Sequence, residues 1–133
     1  LDALVDGLAR AAAKRSSMTA AIAGGGAFPH VARAKVLWAG VDVHGVAELE
    51  KLSKACRAAG ATVGAPPSGE RFRPHVTLAR INPPIEATKW VRLLDGYRGP
   101  AWPINEIALI ESHLGEGPKR APRHEELATF SFS

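Results

Sequence analysis

The stretch Phe72-Arg73-Pro74-His75-Val76-Thr77-Leu78-Ala79-Arg80 decides how this chain reads. It is rich in residues that favour extended backbone. On a strand, residues two apart face the same way. His75 and Thr77 then stand side by side, while Val76 and Leu78 turn the other way, into an expected core. An imidazole gives or takes a proton near neutral pH, and a threonine hydroxyl hydrogen-bonds a phosphate oxygen. Arg80 adds a planar fork of donors suited to phosphate. Its offset from His75 is odd, so a regular strand turns it to the opposite face. Contact with the same anion requires a bulge or a strand end there. The group reads as half of a site that processes phosphodiesters.

Outward from this stretch, helical and extended patterns interleave. Leu1, Leu4, Val5 and Leu8 follow helical spacing over residues 1–15. Residues 17–23 read as a short strand, Gly24-Gly25-Gly26 and Phe28-Pro29 as a loop, turn or bulge, and residues 35–41 as a strand. The three glycines match neither phosphate-loop pattern. Val46, Leu49, Leu52, Cys56 and Ala59 mark a helix over 45–59, with Gly60 as its expected stop. A polar loop follows over 64–71. The His75 strand is expected to close at Asn82-Pro83-Pro84. Trp90, Leu93, Leu94 and Tyr97 outline a third helix ending near Gly96. Strands are expected at 103–111 and 126–132, joined by a polar loop over 114–124. Two pairs of successive strands lack a helix between them, which predicts an α+β fold with antiparallel pairing.

Bulk composition narrows the class. The chain has 133 residues, enough for one compact domain or two closely packed lobes. It is 46% hydrophobic and 23% charged, as soluble globular proteins are. It lacks an apolar run long enough to span a bilayer, and no signal-peptide pattern opens it. Cys56 is the single cysteine, which excludes an internal disulfide and suits a cytoplasmic setting. No Cys/His cluster has zinc spacing. A net charge of +4 leans towards an anionic partner. Leu1 is not a methionine, and the first helical pattern starts without a capping residue, which predicts further sequence upstream.

His75-Val76-Thr77-Leu78 with Arg80 resembles the second signature of the 2H phosphoesterase superfamily. More narrowly, the chain resembles the bacterial RNA 2′,3′-cyclic phosphodiesterases of the 2′-5′ RNA ligase family. Gly-Gly-Gly-Ala-Phe-Pro over 24–29, followed by Lys35-Val36-Leu37-Trp38-Ala39-Gly40-Val41, looks like that family's central segment. Phe72-Arg73-Pro74 and the late Ile110-Glu111-Ser112-His113-Leu114-Gly115 are also similar. The resemblance covers nearly the whole chain. It implies a two-lobed fold: antiparallel sheets face a central cleft, helices lie outside, and each lobe carries one His-x-Thr. It further implies a cytoplasmic, cofactor-free and metal-independent enzyme, monomeric when complete. Its partners would be RNA ends or small cyclic phosphates. The implied reaction opens a 2′,3′-cyclic phosphate to a 2′-phosphomonoester, or in reverse joins RNA ends through a 2′-5′ bond.

This chain carries one such signature. Two positions beyond His30, His44, His113 and His124 stand Ala32, Val46, Gly115 and Glu126, so none of them repeats the pattern. The first signature of the family lies before the helix read at 1–15. His75 is assigned one of two proton-transfer roles, with Thr77 and Arg80 holding the phosphate. Trp38 has two readings, a platform for a base or a core residue. Arg71 and Arg73 either guide an RNA backbone or are simply solvated. His30, His44 and His124 read as surface residues and Cys56 as core, while His113, which follows a strand, reads as structural or surface, with a place near the cleft as its other reading.

Overall fold

A computed structural model describes residues 1–65 and 71–133, so most of the polar loop expected over 64–71 lies outside the described residues. The expected α+β architecture with antiparallel pairing is observed. The chain divides into two compact units.

One unit contains residues 18–47 and 70–104. Strands β1 (Met18–His30), β2 (Arg33–His44), β3 (His75–Ile85) and β4 (Trp102–Ile104) form one sheet in the order β3-β2-β1-β4. Every pairing in it is antiparallel. Helix α3 (Thr88–Asp95) packs against β1 and ends at Gly96, where it was expected to end.

Three expectations change here. The expected strand at 17–23 continues to His30, because the glycines lie inside it. The register slips between Ile22 and Gly25, and Gly24 sits at φ 64, a conformation glycine adopts freely. Asn82-Pro83-Pro84 does not end β3, whose pairing resumes at Ala34 opposite Ile85 after an irregularity. Val76 and Leu78 do not enter a core: they are 46% and 52% exposed. Their strand is the sheet's edge, with a neighbour on one side only. Together with Ile22, Ala39, Leu94 and Tyr97 they line an open apolar hollow of about 370 Å³.

The other unit contains residues 1–17, 48–69 and 105–133. Helix α1 (Asp2–Ala13) packs on strand β6 (Arg123–Ser131), which pairs with β5 (Glu106–His113). As the sequence predicts, no side chain caps the start of α1. Helix α2 (Val46–Thr62) runs through Gly60, and Gly64, at φ 79, supplies the left-handed turn beyond its end. The strand expected over 103–111 is broken at Asn105, so β4 and β5 belong to different sheets. A short 3-10 turn (Pro118–Arg120) interrupts the loop before β6.

The core of this unit is Leu8, Ala12 and Phe130, ringed by Leu4, Val5, Ile107, Leu109 and Cys56 among others. Cys56 is half-buried, and burial pushes its thiol pKa up by disfavouring the thiolate. The thiolate is the reactive form. Iodoacetamide should therefore label Cys56 slowly in the folded protein at mildly alkaline pH and rapidly in urea. Equal labelling rates in both states would refute this placement. No helix among the described residues is long and apolar enough to cross a membrane.

Candidate active site

The local sequence builds the site through a change of strand parity. Thr77 pairs with Trp38, whereas Ala79 pairs with Leu37, so β3 has one residue more than β2 at this point. The extra residue is Leu78, the centre of a β-bulge. Beyond it, Arg80 pairs with Val36. Gly40, Trp38 and Val36 lie at alternate positions on β2, opposite His75, Thr77 and Arg80. Partners across an antiparallel ladder share a face. His75, Thr77 and Arg80 therefore project from one face of β3, all of them exposed.

His75 is oriented from its own strand start. Its Nδ1 lies 2.6 Å from the Arg73 carbonyl oxygen. A carbonyl only accepts, so Nδ1 donates, which leaves Nε2 as the nitrogen free to exchange a proton. Phe28 meets the imidazole edge-on at 5.1 Å, and Trp38 meets it at 6.0 Å. Two ring edges and one backbone acceptor thus fix the imidazole's plane.

Trp38 lies beneath this arrangement. It is only 8% exposed. Phe28 packs on it at 5.2 Å, and the Arg73 guanidinium lies over its ring at 5.4 Å. Its Nε1 is buried and finds no acceptor among the described residues, so ring packing alone holds it. Trp38 is buried, as its core reading expects, with Phe28 and Arg73 packed on its ring.

The indole lies flat on β1 because residue 26 is glycine. A Cβ there would strike Trp38 Cζ2 and Cη2. Overpacking of this kind costs about 1–3 kcal/mol. Gly26→Ala should lower stability by that amount in urea denaturation and loosen the wall behind His75. An unchanged midpoint would show that the close approach is unimportant.

In front of His75 opens a recess of about 540 Å³. Lys35, Arg71 and Arg73 supply three cations to its lining, and Phe28, Pro29 and Val36 supply apolar walls. Among the described residues no acidic side chain lines it, so it favours an anionic ligand carrying an apolar part. Arg71 and Arg73, which the sequence left between two readings, both face this recess. Phe28 and Lys35 were not singled out from sequence. Their only signal was membership of the 24–29 and 35–41 segments that carry the resemblance.

Among the described residues, His75 is the one histidine in the lining of this recess. His30, His44 and His124 are exposed, as expected. His124 Nδ1 lies 3.0 Å from the Ser112 hydroxyl. His113 stands among carboxylates on the β5–β6 hairpin.

A profile of the 2′-5′ RNA ligase superfamily matches residues 1–116. The chain belongs to that superfamily. It is 38% identical over 93 residues to an RNA 2′,3′-cyclic phosphodiesterase of Aquifex aeolicus, a match covering 67% of this chain and 48% of that protein. It is 38% identical over 69 residues to a protein of the same name from Aeropyrum pernix, covering 52% of this chain and 39% of that one. The chain thus spans about half or less of the curated relatives it matches.

Solved structures of similar fold include a Thermus thermophilus protein, with a TM-score of 0.69 and 27% identity, covering 98% of this chain and 69% of that one. E. coli LigT, solved with 3′-AMP, has a TM-score of 0.70 and 20% identity, covering 99% and 68%. These likenesses establish the 2H phosphoesterase fold for this member of the superfamily.

Proposed function

We infer that the chain forms part of an enzyme that hydrolyses RNA 2′,3′-cyclic phosphate ends to 2′-phosphomonoesters. The observation that carries this reading is the bulge at Leu78, which aligns His75, Thr77 and Arg80 on one face beside a cationic recess. The names of the Aquifex and Aeropyrum relatives support the same substrate class.

In the proposed reaction, water attacks the phosphorus in line with the bond to O3′. One base takes the water's proton, the P–O3′ bond breaks, and one acid protonates the leaving O3′. His75 Nε2 takes one of these two roles, and a second histidine takes the other. Thr77 and Arg80 hold the non-bridging oxygens, whose charge grows towards the transition state. No step needs a metal ion. Run backwards, the same proton transfers join RNA ends through a 2′-5′ bond.

The single His-x-Thr supports a second reading, a non-catalytic module that binds RNA ends. An RNA oligonucleotide with a terminal 2′,3′-cyclic phosphate separates the two. Conversion to a 2′-phosphate, undiminished by chelator, supports the enzyme, whereas binding without conversion supports the module. Activity lost to chelator and restored by a divalent ion would overturn the two-histidine scheme. Faster turnover of a cyclic mononucleotide than of the RNA would move the substrate to another small phosphoester.

A further inference from the structure

In the unit that does not contain His75, the β5–β6 hairpin sets Glu111 directly opposite Glu125. Like charges facing each other across a ladder destabilise it. His113, two residues along the same face, inserts its ring between them. Its Nε2 lies 2.9 Å from a Glu111 oxygen and 3.2 Å from a Glu125 oxygen. On the far side of the ring, Nδ1 faces a Glu116 oxygen at 3.4 Å. Arg123 anchors Glu116 at 3.3 Å and reaches Glu125 at 3.5 Å. The His113 side chain is 22% exposed, so the ring is packed in place.

Two features set this group apart from a surface ion-pair network. The first is its donor set. One imidazole nitrogen and two carboxylate oxygens lie within 4.8 Å of one another. Tetrahedral metal–ligand bonds of about 2.0–2.2 Å place neighbouring ligands about 3.3–3.6 Å apart, so the Glu111 and Glu125 oxygens, now 2.9 and 3.2 Å from Nε2, need shift outward by only a few tenths of an ångström. The second is orientation. A carboxylate on one ring nitrogen, itself fixed by a further hydrogen bond, is the arrangement that aims the opposite nitrogen of an imidazole at a metal. A cluster of acids alone has neither property. The three glutamates also outnumber the one arginine by two charges, which suits a dication.

We propose that Glu111, His113 and Glu125 bind a divalent transition-metal ion, with Glu116 as the positioning residue for the imidazole. A mixed nitrogen and oxygen set suits zinc, whereas magnesium and calcium prefer oxygen alone. On binding, the ion replaces the hydrogen on His113 Nε2, which leaves to solvent as a proton, and water completes the coordination. The site clips β5 to β6.

Zinc titration of the metal-free protein by calorimetry tests this. One zinc per chain should bind and raise the melting temperature, and the histidine NMR spectrum should show the His113 Nε2 resonance shifting. His113→Ala should abolish binding, as should a Glu111→Gln, Glu125→Gln double variant, which keeps the hairpin's shape. Glu116→Gln should weaken it about ten- to a hundredfold. His124→Ala, on the opposite face of the ladder, should bind as the wild type does. No zinc bound by the wild type would overturn the proposal, as would undiminished binding by His113→Ala or by the double variant.

Discussion

His75→Ala should lower turnover of an RNA 2′,3′-cyclic phosphate by about 10²–10⁴-fold, the usual contribution of one positioned proton-transfer group. The fold should survive, because His75 is exposed and its one hydrogen bond goes to the backbone of its own segment. Its ring also packs against Phe28 and Trp38, so a melting curve is recorded alongside to separate lost chemistry from lost structure. His75→Asn sharpens the test. An asparagine amide can reproduce the Nδ1 donor to the Arg73 carbonyl but places nothing at Nε2. Asparagine should therefore fall as far as alanine. Near-normal turnover of the alanine variant would remove His75 from the mechanism. A rate restored by asparagine alone would make its role positional.

Phe130→Ala should destabilise the protein by about 3–5 kcal/mol, the range for emptying an aromatic core site. Domains of this size hold about 5–15 kcal/mol in total, so the variant should sit near its unfolding threshold. The expectation is high because this core is thin. No large side chain among the described residues is less than 2% exposed, and many of the buried positions are alanines. Phe130, at 9% exposure, is the buried ring of the Leu8–Ala12 cluster. Leu114→Ala, at a residue 81% exposed, is the matched control and should shift the urea midpoint little. Equal effects of the two changes would show that the Phe130 cluster does not carry the unit's stability.

The parts of the fold legible in the sequence were those set by local period. The helical spacing of Leu4, Val5 and Leu8 and the alternation around His75 predicted elements that are present. So did the absence of helices between two strand pairs, which predicted antiparallel ladders. Features set by partners were not legible. Gly24-Gly25-Gly26 read as a break because glycine ends strands in isolation, yet β1 tolerates it, since Trp38 needs the bare backbone at Gly26. The break at Asn105 leaves no mark in the run from Pro103 to Glu111, because only the two different sheets divide it. Val76 and Leu78 carry the pattern of core residues but lie on an edge strand, a fact of strand order. At the site, His75, Thr77 and Arg80 were named from sequence. Phe28 and Lys35 were missed, because their proximity arises from pairing between β1 and β2. The Glu111–His113–Glu125 group was missed for the same reason: the β5–β6 register creates it.

The bulge on β3 gives residue 78 an unusual kind of importance. Its leucine side chain lies half in solvent and does not line the recess in front of His75, so many other side chains should serve there. What cannot change is that a residue is present. Deleting it would put Arg80 half a step out of phase and swing its guanidinium to the far side of the sheet, without altering any residue that the chemistry uses. The working information at this position is a count of peptide units, not a chemical identity. Drift in its sequence should be silent, and a single-codon deletion should cost the strand the arginine proposed to hold the phosphate.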